Sequence, residues 1–320
     1  MKRIGLLTSG GDAPGMNACI RAVVRYAIYH DIEVYGIERG YVGLVTDEMR
    51  ILTKRSVSDI IQRGGTILKT ARCKEFADYK GVKEGASNLS NRGIEGLIVI
   101  GGDGSFRGAK DLYELFGVKA VGIPGTKDND LNYTDFTLGF DTAVNTALAA
   151  INNLRDTMSS HDRVSIVEVM GRSCGDIALY AGVAGGAEVV LVPENEVNID
   201  EVCDKLIKSQ ALGKKSGIIV LAEGAYSLDK LKAEIEEKTG IIIRTTVLGH
   251  IQRGGTPSMM DRVLAAKFAV RAVDILRKNK GGRLVGIRGN KIIDDEINTA
   301  LNMKCNFEHE LHDLIKILSL

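Results

Sequence analysis

Short runs of apolar and β-branched residues recur along the chain: IGLLT (4–8), EVYGI (33–37), GLIVI (96–100), AVGI (120–123), VSIVEV (164–169), EVVLV (188–192), GIIVLAEG (217–224) and RLVGI (283–287). Between many of them, apolar positions three and four apart predict helices over 16–29, 107–117, 141–158, 176–184, 199–211 and 261–279. Strands that are apolar at nearly every position are buried on both faces, and their alternation with helices marks parallel sheets covered on both sides. The predicted class is doubly wound α/β. In the first helix Ile20, Val23, Val24 and Ala27 form the apolar face. Arg21 and Arg25 stand one turn apart on the polar face, where like charges repel, so they hold an anion between them or are simply solvated.

A length of 320 residues suffices for two domains. A boundary is expected near residue 139, where TLGFDTAVNTALAAINNLRDT opens a long helix, and no low-complexity linker marks it. The net charge of +1 balances 42 basic against 41 acidic residues, so no global field recruits nucleic acid or an anionic membrane. Any anionic ligand must be held by a local cluster. The five cysteines (Cys19, Cys73, Cys174, Cys203, Cys305) are odd in number and form no C-x-x-C, against a disulfide framework or zinc knuckle. No apolar run approaches the ~18 residues of a membrane span, and no signal-peptide pattern opens the chain. A soluble, cytoplasmic protein is expected.

Several strands end in glycine-rich turns: TSGGDAPGMN (8–17), IGGDGS (100–105), MGRSCGD (170–176) and AEGA (222–225). Open parallel sheets bind ligands beyond the carboxyl ends of their strands, so these turns are expected to share one crevice. Gly10 and Gly11 let backbone N–H groups turn toward an anion at a helix N-terminus, although glycine-rich strand–helix turns are common without a ligand. In IGGDGS, Gly102 and Gly104 permit close phosphate approach, Ser105 can donate, and Asp103 either holds Mg²⁺ or caps a helix. Neither G-x-x-x-x-G-K-[ST] nor G-x-G-x-x-G is present. Arg172, past a strand end, and Arg253, in VLGHIQRGGTP (247–257) with His250, suit phosphate recognition. In GIPGTKDNDL (122–131), Asp128 can accept a hydroxyl proton and Thr126 can steady a transferring phosphoryl group; the bland alternative is an exposed Asx turn.

In this order and spacing, TSGGDAPGMN, RGGT, TARC, IGGDGS, PGT-DND, MGR, AEG and GHIQRGG closely resemble the bacterial ATP-dependent 6-phosphofructokinases over essentially the whole chain. The resemblance implies two Rossmann-like domains, 1–138 plus 252–303 for ATP and 139–251 plus 304–320 for fructose 6-phosphate, with the active site in the cleft between them. It implies transfer of the γ-phosphate of ATP, as co-substrate with Mg²⁺, to the 1-hydroxyl of fructose 6-phosphate, a step of glycolysis. Gly11, Arg72, Cys73, Gly102, Asp103, Gly104 and Ser105 would bind ATP, with Asp103 on the metal. Asp128 would be the general base, with Thr126 and Arg172 on the transferring group. Lys127, Met170, Gly171, Glu223, His250, Ile251, Gln252 and Arg253 would line the sugar phosphate, and Arg163 and Arg244 would reach it from a neighbouring subunit of a homotetramer.

The same resemblance implies an effector site for ADP, an activator, and phosphoenolpyruvate, an inhibitor, at Arg21, Arg25, Lys54, Ser58, Asp59, Arg155, Gly186, Glu188, Lys214 and Lys215. Leu212 and Ser216 replace the basic residue and histidine usual there, so altered effector affinity is expected. Pyrophosphate-using relatives usually carry Asp at position 104 and Lys at 125; glycine at both favours ATP. NAD kinases and diacylglycerol kinases share the GGDG loop but leave GHIQRGG and MGR unexplained, and a non-catalytic effector sensor would be expected to lack Asp103, Asp128 or Arg172. Lys127 stands where the family has isoleucine or another apolar residue; an extended backbone would turn it away from Thr126 and Asp128 as a surface residue, whereas a loop that turned it toward Asp128 would favour the carboxylate and leave a weaker base.

Overall fold

The computed structural model describes every residue except 161, 162, 215, 305, 306 and 320, and residue 159 by its backbone alone. Cys305 and Lys215 thus lie outside the described residues. The chain forms two compact units: Met1–Lys127, Leu131–Thr142 and Arg253–Cys305 in the first, and Asp128–Asp130, Ala143–Gln252 and Asn306–Leu320 in the second.

The first unit is built on strands β1 (Arg3–Thr8), β2 (Glu33–Ile37), β3 (Met49–Leu52), β4 (Gly96–Gly101), β5 (Lys119–Pro124), β10 (Arg283–Arg288) and β11 (Lys291–Glu296), in the order β11-β10-β5-β4-β1-β2-β3. β2–β3 and β10–β11 are antiparallel and the other pairs parallel. The apolar runs divide by alternation between two cores. Ile4, Leu6, Ile98, Ile100, Val121 and Ile123 pack against α1 (Met16–Tyr29) and α9 (Met259–Arg277). Leu7, Leu97, Val99 and Ala120 pack against α3 (Tyr79–Asn91), α4 (Asp103–Phe116) and α10 (Ile297–Leu301). Burying one such side chain contributes about 1.5–3 kcal/mol, so each strand stabilises both layers.

The second unit holds β7 (Val189–Leu191), β8 (Gly217–Ala222), β6 (Val164–Val169) and β9 (Ile243–Val247), in that order and all parallel. One face buries Ile166, Ile219 and Leu221 against α7 (Ile199–Ala211) and α8 (Leu228–Thr239). α5 (Phe140–Ser159) precedes β6, α6 (Asp176–Ala184) follows it, and α11 (His309–Leu318) lies near the C-terminus; a short α2 (Tyr41–Val45) belongs to the first unit.

Eight strands were expected, and β3, β9 and β11 come in addition. All three are sheet edges, half solvated, so none carries a continuous apolar run. The helix expected from 107 begins at Asp103, directly after the glycine turn, because Gly102 serves as its N-cap. Among the described residues no helix is long and apolar enough to cross a membrane, and Cys19, Cys73, Cys174 and Cys203 are free thiols.

Candidate active site

In the first unit the connections from neighbouring β1 and β4 leave in opposite directions, toward β2 and β5, which makes the loops after them a topological switch point. These two loops touch. Ser9 donates its N–H to the Ile100 carbonyl (3.0 Å), and a methyl on Gly101 would stand 2.6 Å from the Ser9 carbonyl oxygen. The Thr70 hydroxyl donates to the Gly10 carbonyl, tying down the segment that carries exposed Arg72 and half-buried Cys73. Gly125 donates its N–H to the Gly101 carbonyl (2.9 Å), and a methyl on Gly102 would stand 3.8 Å from Thr126 Cβ. One on Gly11 would stand 2.5 Å from Arg253 Nη1. Gly11, Gly102 to Ser105, Thr126 and Arg253 are therefore gathered on one side of this unit.

Around Gly104 the backbone is open, since a methyl there would meet nothing within 4 Å. Asp103 sits in the first turn of α4, where the helix end favours negative charge. Its Oδ2 accepts from Arg107 Nε (2.7 Å) and its Oδ1 from Nη2 (3.1 Å), an exposed pair one turn apart that holds the guanidinium proton more firmly. Arg107 was missed at the sequence level. A helix begun at 107 instead of 103 conceals the i, i+4 spacing that would have found it.

In the second unit the carboxyl ends of β8, β6 and β9 converge. Gly171 and Arg172, after β6, donate their N–H groups to Glu223 Oε1 at 3.2 and 3.0 Å. Met170 donates its N–H to Gln252 Oε1 (3.4 Å), and Gln252, fully buried, donates its amide to the Gly249 carbonyl (3.1 Å). His250 and Ile251 are exposed on the same 3₁₀ turn, Gly249–Arg253. The Arg172 guanidinium faces the Asp128–Asp130 segment, with Nε 3.6 Å from Asp128 Oδ2 and Nη1 3.9 Å from Asp130 Oδ2.

Two readings of the GIPGTKDNDL loop are corrected. Asp128 is only 4% exposed, so the loop is no solvated Asx turn, and Lys127 is 2% exposed rather than a surface residue. The extended geometry on which that expectation rested is absent: β5 ends at Pro124, the chain bends at 127–128, and Asn129 adopts a left-handed φ of 55°. A buried ammonium is tolerated only with a partner, and Lys127 is not left without one.

Arg163 and Arg244 lie apart from these groups, just before β6 and within the start of β9, both exposed. The length of β6, at ~3.3 Å per residue, puts roughly 20 Å between them and Arg172. The effector residues fall into two sets. In the first unit Arg21 and Arg25 lie on α1, to which buried Asn17 ties the loop carrying Lys54, Ser58 and Asp59, through bonds to the Arg63 and Gly64 carbonyls (3.1 and 3.0 Å). In the second, Arg155 donates to the Gly185 (2.8 Å) and Gly186 carbonyls, and Lys214 Nζ lies 3.0 Å from Glu188 Oε1 as an ion pair not aligned as a hydrogen bond. Leu212 is 85% exposed and Ser216 half-buried.

The phosphofructokinase family profile matches residues 3–276. An ATP-dependent 6-phosphofructokinase of Clostridium novyi (strain NT) is 57% identical over 319 residues, covering all of both chains. The structure of Pichia pastoris phosphofructokinase in the T-state is similar with a TM-score of 0.90 at 34% identity; it covers 99% of this chain, which spans 39% of the Pichia chain. A pyrophosphate-dependent phosphofructokinase from Nitrosospira multiformis shares the fold with a TM-score of 0.86 at 20% identity, over 96% of this chain and 86% of that one. With a profile match over most of its length and more than half its residues shared with a full-length relative, the chain belongs to the phosphofructokinase family.

Proposed function

We infer that the chain is an ATP-dependent 6-phosphofructokinase, a kinase of glycolysis that phosphorylates the 1-hydroxyl of fructose 6-phosphate. The observation that carries this reading is the meeting of two glycine loops at a switch point, with open backbone at Gly104, in a chain 57% identical to an enzyme of that name. Gly11, Arg72, Cys73 and Gly102 to Ser105 bind ATP. Asp128 takes the hydroxyl proton as the oxygen attacks phosphorus, while Thr126 and Arg172 hold the transferring group. Arg172 suits both tasks, because its guanidinium faces Asp128 and remains largely exposed to a ligand. Met170, Gly171, Glu223, His250, Ile251 and Arg253 line the sugar phosphate, while buried Gln252 supports them by accepting from the Met170 N–H. Positioning and charge neutralisation supply most of the acceleration of a phosphoryl transfer, and these residues are of that kind.

Asp103, an exposed hard oxygen donor beside the phosphate loop, fits Mg²⁺. Among the described residues no group of three His, Cys, Asp or Glu side chains stands ready to hold a metal, so Asp103 would share the ion with nucleotide oxygens. When bound, Mg²⁺ neutralises charge on the phosphates. The choice of ATP over pyrophosphate is supported by glycine at both 104 and 125; at 125 a side chain would crowd Ile100 Cγ2, 2.8 Å from the first added methyl.

Arg163 and Arg244, too far along β6 and β9 to join Arg172 on one small ligand, serve a neighbouring subunit of the homotetramer that the family resemblance implies. The two arginine- and lysine-bearing sets around Arg21 and Glu188 bind ADP and phosphoenolpyruvate across subunits, and the protein works in the cytoplasm. A coupled assay with fructose 6-phosphate, run with MgATP and with pyrophosphate side by side, tests the reading. Turnover with MgATP that is lost in Asp128→Ser is expected; an inactive wild type, or pyrophosphate as the better donor, overturns it.

A further inference from the structure

We propose that Asp176 is a positioning residue for phosphoryl transfer, whose carboxylate holds the Asn129 side chain and thereby the turn that presents Asp128. The inference rests on the kinase reading above. Asp128 and Asp130 flank Asn129, and all three belong to the second unit although only Gly125, Thr126 and Lys127 separate them from β5. Asn129 has a φ of 55°, in the left-handed region that non-glycine residues enter at a cost and Asn enters more readily than most. A conformation of that kind persists where its surroundings over-determine it.

The surroundings come from one short segment after β6. Asn129 donates its Nδ2 to Asp176 Oδ2 at 2.7 Å. Its carbonyl faces the Cys174 thiol at 3.8 Å, and two residues earlier Arg172, itself at a φ of 57°, spans Asp128 and Asp130. Residues 172–176 thus grip the three-residue loop at its two acids and at the amide between them. The segment is anchored in turn: Gly171 and Arg172 donate to Glu223 Oε1, and Gly175 donates its N–H to Glu194 Oε1 at 2.8 Å.

Asp176 itself is no part of the phosphoryl-transfer machinery. It opens α6, whose N-cap is Gly175, and the bond its side chain makes across the fold goes to Asn129. Burial with Glu194 and Glu308 nearby penalises its charge, an arrangement unneeded for a helix start that a serine would serve. A charged acceptor gives the Asn129 amide a stronger bond than a neutral one. A general base misplaced by about 1 Å can lose a factor of a hundred in rate, so a bond on its neighbouring residue is well placed to act on kcat.

The test combines two positions. Asp176→Ala lowers kcat at least tenfold and leaves the KM for ATP within twofold, while Asp176→Asn, whose amide oxygen still accepts from Asn129, keeps most of the activity. Asn129→Gly enters the left-handed region without a side-chain tether, so adding Asp176→Ala to it lowers kcat less than twofold further. Asp176→Ser, which caps the helix but falls short of Asn129, replaces the alanine variant if that one does not fold. Hydrogen exchange of the amides from 126 to 131 is read in the same proteins and accelerates in Asp176→Ala but not in Asp176→Asn. Equal losses from Asp176→Ala in the wild-type and Asn129→Gly backgrounds, or unchanged exchange, overturn the inference. An inactive wild type overturns the kinase reading instead, and the exchange data then decide the positioning role alone.

Discussion

Arg107 grips Asp103 through both carboxylate oxygens, at 2.7 and 3.1 Å, on the exposed first turn of α4. If Asp103 serves Mg²⁺, the metal must displace a guanidinium. An exposed pair of this kind is worth about 0.2–1 kcal/mol, which is a factor of about 1.4 to 5 in an equilibrium constant. Arg107→Gln is therefore expected to tighten Mn²⁺–ADP binding by about that factor, measured by calorimetry or by the paramagnetic resonance of Mn²⁺. Equal or weaker binding means that Arg107 itself contacts the nucleotide.

Asp261, on α9, is buried and accepts from the Gly139 N–H (2.8 Å), the Thr142 N–H (2.9 Å) and the Thr142 hydroxyl. Removing it strands buried donors, each costing about 1–3 kcal/mol, while relieving the burial of a charge. Asp261→Ala is expected to destabilise the protein by about 2–4 kcal/mol in urea unfolding, and Asp261→Asn by less, because an amide oxygen still accepts. Alanine and asparagine variants of equal stability would contradict this.

Leu212 is exposed near the Lys214–Glu188 ion pair, where the family usually carries a basic residue. Leu212→Arg places a cation where the proposed effector site would hold an anion. Solvent screening limits its worth to under about 1 kcal/mol. If the proposed effector site takes phosphoenolpyruvate, half-maximal inhibition moves to a concentration about two- to fivefold lower, and an unchanged titration curve rules out a role for this position.

Burial raises the pKa of Asp176 above its ordinary 3.8, with Glu194 and Glu308 adding to the rise and the Asn129 amide and Cys174 opposing it. The native state thus binds this proton more tightly than the unfolded chain. Its contribution to stability falls as pH climbs above 3.8, and the loss is complete above the folded-state pKa. Asp176→Asn removes that slope. The stability of the variant relative to wild type should grow as pH rises above 3.8 and level off once the buried carboxyl has ionised, as read by thermal unfolding across pH; a difference independent of pH refutes the assignment.

Much of this architecture is legible in the chain because burial imposes a period. The helices at 16–29, 176–184 and 199–211 run as the apolar spacing predicts, and the central strands read as unbroken apolar runs. β3, β9 and β11 do not, since one half of each faces solvent and their polar residues look like loop. The start of α4 was misplaced by four residues because glycines read as turn, and the Asp103–Arg107 pair was lost with it.

By itself the sequence determined the α/β class, the glycine turns at strand ends and the family, since these depend on local period and on ordered motifs. Only the tertiary structure decided what lies beside what. Lys127 reads in the sequence as a surface lysine, yet it is 2% exposed, because the chain bends at 127–128 instead of running on extended. The grip of Asp176 on Asn129 joins residues 47 positions apart, a contact that no periodicity encodes. Hydrophobic spacing records which face is covered; the pairing of buried polar groups depends on distances that exist only once the chain has folded.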